Sequence, residues 1–87
     1  MAAVNVMENL VMEKLAERLA VMECCKCDRC INDMLAVALN ELQPKYVNTR
    51  KGELFTRIDA TKQQNAIDLD VAITKAIETV TAAPHKE

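Results

Sequence analysis
Aromatic side chains are nearly missing from this chain: Tyr46 and Phe55 are the only two in 87 residues. A core must therefore be assembled from Val, Ile, Leu, Met and Ala. One glycine and two prolines leave few interruptions, and with the aliphatic composition they predict a mainly α-helical fold. The single histidine, His85, lies in the tail, and no Ser/His/Asp grouping, glycine-rich phosphate loop or H-E-x-x-H pattern occurs. Asp33, Asp68 and Asp70 fall on predicted helices, where a solvated face is the default. A non-enzymatic role is expected. Long apolar runs are missing too. Glu8, Glu13 and Glu17 interrupt the first hydrophobic segment and no cationic stretch precedes it, so neither a spanning helix nor a secretory signal is expected. The expected location is cytoplasmic. A net charge of −2 argues against a general binder of long nucleic acids.

What is present organises into one domain, residues 1–87, since chains of this length do not split into separate cores. The first helix is predicted from Asn5 to about Met22. Asn5 and Glu8 have capping-box spacing, and Met7, Val11, Leu15, Leu19 and Met22 repeat at helical intervals. A second helix is predicted from about Asp28 to Leu42. Its inner face is Ile31, Leu35, Ala38, Leu39 and Leu42, and Pro44 ends it. Residues 45–60 mix β-branched, aromatic and turn-forming types and read as a short hairpin or extended loop, with Gly52 supplying a positive φ. The last helix is predicted to start at Thr61, capped with Gln64, and to bury Leu69, Ala72, Ile73, Ala76, Ile77 and Val80. Pro84 ends it, leaving residues 84–87 as a loose tail. Three principal helices are thus expected.

The chemistry concentrates in Cys24-Cys25-Lys26-Cys27-Asp28-Arg29-Cys30, which holds every cysteine of the chain between two helical segments. Clustered thiols in such a setting bind metal or do redox chemistry, and a disulfide framework is excluded because no partner lies elsewhere. Zn²⁺ takes four soft ligands in a tetrahedron, and Cys27-x-x-Cys30 is a knuckle spacing that aims two sulfurs at one point. Cys25, Cys27 and Cys30 form the preferred set, with Cys24 as the remaining candidate. If Cys24 points elsewhere, the fourth ligand must come from His85, a carboxylate, water or another chain. An iron–sulfur run lacks its distant fourth cysteine, and a redox dithiol lacks its βαβ context. The zinc is expected to be structural.

Cys25-x-Cys27-x2-Cys30 is followed by Asn32-Asp33, then Ala36-x-Ala38-Leu39-Asn40 and Pro44-x-Tyr46-Val47. This succession resembles the ComFB (late competence development protein) family across most of the chain. The resemblance implies a small, mainly helical, bacterial cytoplasmic homodimer with zinc on the cysteine cluster. It further implies reception of a cyclic dinucleotide, chiefly cyclic di-GMP, linked to competence, motility or surface-associated behaviour. Cys24 is extra to the family's three-cysteine core.

A cyclic dinucleotide asks for Arg or Lys at its phosphates and a flat side chain or guanidinium against its bases. Between Lys45 and Lys62 five basic residues stand against two acidic ones. Lys45, Tyr46, Arg50, Lys51 and Arg57 are therefore the candidate ligand-binding residues, the alternative being solvated charges around a loop. The output of such a receptor would be an unknown downstream protein. The other function class open to this sequence is a zinc-stabilised dimeric interaction module that binds no nucleotide. Dimerisation is also expected from the first helix, whose apolar positions exceed one face. Met7, Val11 and Leu15 are placed near that interface.

Overall fold
The computed structural model describes residues 2–82; the tail at 84–87, with His85 and Pro84, lies outside the described residues. The elements in chain order are β1 (Val4–Asn5), α1 (Val6–Leu19), α2 (Asp28–Glu41), β2 (Tyr46–Val47), α3 (Arg50–Ala60) and α4 (Gln63–Ala82). Four helices and a small sheet thus replace the three helices expected. α2 and α4 form the most extensive helix pair; α1 lies across both, and α3 sits at the side against α1 and α4.

The core is aliphatic, as the missing aromatics require. Val6, Val11, Leu15, Cys30, Met34 and Ile73 are almost completely enclosed, and no polar or charged side chain is buried among the described residues. All six positions expected to face inward on α4 do so. On α2 the buried line is Cys30, Met34 and Ala38, with Ile31, Leu35, Leu39 and Leu42 partly buried beside it. The inner face is thus centred on Cys30, Met34 and Ala38, with only Ala38 shared with the centre expected from the spacing.

Asn5 ends the first strand and caps the first helix. Its Oδ1 accepts from the Met7 N–H at 3.1 Å and from the Lys45 N–H at 2.8 Å. The Val6 N–H in turn donates to the Lys45 carbonyl at 2.8 Å. One side chain thus satisfies an orphan donor of α1 and ties down the chain that follows α2. The tie aligns the antiparallel pairs Val4–Val47 and Asn5–Tyr46.

The expected hairpin or extended loop over residues 45–60 is confined to Tyr46–Val47; the rest is α3. Thr49 is the N-cap, its Oγ1 accepting from the Gly52 N–H at 3.0 Å. Gly52 is helical and needs no positive φ. Its use is close approach instead: a Cβ there would meet Thr49 Oγ1 at 3.1 Å and Val47 Cβ at 3.4 Å. Leu54, Phe55 and Ile58 have helical spacing, but Tyr46-Val47 and the chain's one glycine in the same segment favour the extended reading, and none of the α3 side chains is buried.

Two further boundaries shift. α1 stops at Leu19 rather than Met22, with Ala20 as its C-cap. Thr61 does not start the last helix; it closes α3, its hydroxyl donating to the Ile58 carbonyl at 2.6 Å. A hydroxyl committed backward cannot cap the helix that begins at Gln63. Met7, Val11 and Leu15 are buried within the chain itself, so they do not form a face for a second copy. The apolar breadth of α1 is met instead by α2, α3 and α4, while Met12 stays exposed.

Candidate metal centre
The eight residues between α1 and α2 carry Cys24, Cys25 and Cys27, and Cys30 lies in the first turn of α2. α2 begins here because Cys27 is its N-cap: the Cys27 sulfur accepts from the Cys30 N–H at 3.5 Å. Asp28 follows in the first turn, where the helix dipole favours an acid. The sulfurs of Cys25, Cys27 and Cys30 all lie within 4.8 Å of one another, and those of Cys25 and Cys27 are 3.5 Å apart. Thiolates at about 2.3 Å from a zinc ion span tetrahedron edges of about 3.8 Å, so the three sulfurs fit a single ion. Cys30 is fully buried and anchors the group to the core, while Cys25 and Cys27 are half-buried and close it from outside.

The electrostatics favour the ligand form. The Cys30 backbone N–H holds the Cys27 thiol below its ordinary pKa. Burial opposes this, and the Cys25 and Cys30 thiols and the Arg29 N–H reinforce it. Donors aimed at a sulfur stabilise the thiolate, which is the species that binds metal. Cys24 stands outside the group and lines a surface recess with Ala20, Val21, Met22, Glu23 and Lys26. Adjacent residues in a non-helical loop project to different sides, which separates it from Cys25. The site therefore offers three protein thiols among the described residues, not four.

The candidate ligand-binding residues are spread over two elements and the segment before them. Lys45 borders a cavity of about 640 Å³ between the end of α2, the last turn of α3 and the first half of α4. Its apolar lining includes Leu42, Leu69 and Ala72, and its polar rim includes Asp68 and Lys75. Lys45 has no ion-pair partner among the described residues. Tyr46 is 68% exposed on β2, and Arg50 is exposed at the start of α3. Lys51 lies over the Phe55 ring, 5.9 Å from its centroid. Arg57 is committed elsewhere: its two terminal nitrogens reach Glu13 at 2.9 and 3.2 Å, and its Nε lies 3.6 Å from Glu53. Asp68, expected only on a solvated face, and Lys75, which carried no expectation, border this cavity, because single charges on a helix carry no signal until the surface beside them exists.

Fold and site together define a small four-helix protein with a three-cysteine metal-type centre at the start of its second helix. No helix among the described residues is long and apolar enough to cross a membrane. Residues 4–84 match the family described as late competence development protein ComFB, and the chain belongs to that family. It is 28% identical to the competence protein ComFB of Bacillus subtilis (strain 168) over 79 residues, which cover 88% of this chain and 81% of that protein. A solved structure of the late competence protein ComFB from Bacillus subtilis superposes with a TM-score of 0.79 at 29% identity. That likeness covers 98% of this chain and 94% of the other.

Proposed function
We propose that this chain is a non-enzymatic receptor for a cyclic dinucleotide, cyclic di-GMP before others, built on a structural zinc site and signalling through a protein partner in the cytoplasm. The observation that carries the metal half is the convergence of Cys25, Cys27 and Cys30 on one point. Zinc bound there would cross-link the loop after α1 to the buried start of α2, with three positions of its tetrahedron taken by thiolates and the fourth by His85, a carboxylate, water or another chain. The nucleotide half is supported by family membership and by Lys45, an ammonium without a carboxylate partner at a cavity within the roughly 300–1,000 Å³ usual for small ligands. Lys45 and Arg50 would meet phosphate, and Tyr46 would offer its ring to a base. Arg57 leaves this set because Glu13 already holds it.

The proposed receptor is a homodimer. With Met7, Val11 and Leu15 inside, the second copy would contact exposed apolar positions, and Ile67 and Val71 on the outer side of α4 are suited to it. Light scattering should then give twice the chain mass, and a monomer would remove this part. Calorimetry with cyclic di-GMP and cyclic di-AMP tests the receptor. Heat with the first ligand, abolished in Lys45→Glu, is expected. No heat with either at about 50 μM would leave the other reading, a zinc-stabilised interaction module without a nucleotide. The outward apolar residues of α3 are the observation that favours that alternative.

A further inference from the structure
The three clustered thiols are not equally placed. Cys30 is 0% exposed and sits in the first turn of α2, against the core. Cys25 and Cys27 are half-buried in the segment between α1 and α2, with Lys26 between them. Their sulfurs are 3.5 Å apart. A shift of about 1.5 Å joins such a pair. Cys25 lies outside both helices, so the movement displaces no helical residue on its side. Cys27 has a second task, because its sulfur accepts the Cys30 N–H as the N-cap of α2. A thiolate is a strong acceptor and a disulfide sulfur a weak one, so oxidation at this one atom removes a metal ligand and weakens a helix cap together.

We propose that Cys25 and Cys27 form a peroxide-sensitive pair, whose conversion to a disulfide releases the metal and loosens the start of α2 while Cys30 stays reduced in the core. This rests on the zinc reading of the site. The Cys25 sulfur attacks one oxygen of hydrogen peroxide, the O–O bond breaks, and hydroxide leaves from a sulfenic acid. The Cys27 sulfur then attacks the Cys25 sulfur, the S–O bond breaks, and a second hydroxide leaves. Two protons from solvent turn both hydroxides into water. Two thiolates have lost two electrons, and the peroxide has gained them. The one thiolate left, on Cys30, is too few for a tetrahedral ion. In a reducing compartment such a disulfide is transient, which suits a signal rather than a staple.

The test adds hydrogen peroxide to the metal-loaded full chain beside a chromophoric chelator. One ion should appear for each disulfide formed, with two of the four thiols lost. Amide exchange at the start of α2 should rise, and dithiothreitol with added zinc should reverse it. Trypsin locates the bond, since cleavage after Lys26 and after Arg29 places Cys27 on its own three-residue peptide, apart from Cys25 and Cys30. In Cys24→Ser the peptide ending at Lys26 carries Cys25 as its only thiol, so a cross-link between these two peptides identifies the pair. A cross-link to the Cys30 peptide overturns the inference, as does loss of the disulfide in Cys24→Ser. Sulfinic acid without a disulfide also overturns it. So does metal retained with every thiol intact at about tenfold excess peroxide, an outcome that leaves the zinc reading standing. Protein purified without metal removes the zinc reading and this inference with it.

Discussion

Arg57 of α3 grips the Glu13 carboxylate of α1 with both terminal guanidinium nitrogens, at 2.9 and 3.2 Å. This fork joins two helices that otherwise meet lightly, because α3 buries no side chain of its own. The Arg57 hydrogen bonds hold the Glu13 pKa below its ordinary value of 4.5, while slight burial opposes them. The same bonds raise the Arg57 pKa. A carboxyl with a lowered folded-state pKa contributes stability that is complete above its unfolded value and is lost as pH falls through the folded one. Both side chains are partly solvated, so the pair stabilises by about 0.2–1 kcal/mol. Hydrogen exchange of α3 amides should therefore rise in Glu13→Gln at neutral pH. In the unmodified chain the protection should be lost only below pH 4.5, a loss that Glu13→Gln no longer shows. Equal protection in both proteins at neutral pH would deny the clasp its role.

Asn5 should be the most sensitive polar residue outside the cysteine site. Replacing it with Ala removes the acceptor for both the Met7 and the Lys45 N–H. Loss of an N-cap costs about 1 kcal/mol, and the second orphaned donor adds to it. A urea melt should show a midpoint loss for Asn5→Ala that Asn5→Asp largely restores, since the carboxylate keeps an acceptor in place. If Asp rescues nothing, the two hydrogen bonds are not what holds α1 to the strand pair.

Leu15 and Leu54 should part company. Leu15 is 1% exposed at the centre of the core, and truncating it to Ala should cost about 2–5 kcal/mol. Leu54→Ala should stay within about 0.5 kcal/mol, as surface substitutions do. Leu15→Glu should yield unfolded protein rather than folded monomers, because the position faces the chain's own interior. A soluble, helical, monomeric Leu15→Glu protein would restore α1 as the dimer face.

The difference between what the sequence announces and what the fold contains follows from burial. The inner face of α4 was legible because each of its six inward positions is apolar and regularly spaced. The start of α2 was legible because cysteine spacing, Asp28 and Pro44 bracket the segment. α3 was not, since its cap, Thr49, follows Tyr46-Val47 and its first turn holds the chain's one glycine, which together read as strand and turn. The breadth of α1 reads as surplus from the sequence because α3 and α4, which pack against part of it, come late in the chain. Three of the four cysteines came together as spacing suggested, while Cys24 left the group for want of a helical turn to bring it round.

Metal content of the purified chain tests the central claim most directly. Zinc measured by elemental mass spectrometry should be about one ion per chain in the unmodified protein and in Cys24→Ser. It should be lost, with a lowered thermal midpoint, in Cys27→Ser and Cys30→Ser, where one thiolate of the three is missing. All four thiols free in a metal-less protein of unchanged stability, or loss of zinc in Cys24→Ser as complete as in Cys27→Ser, would contradict it.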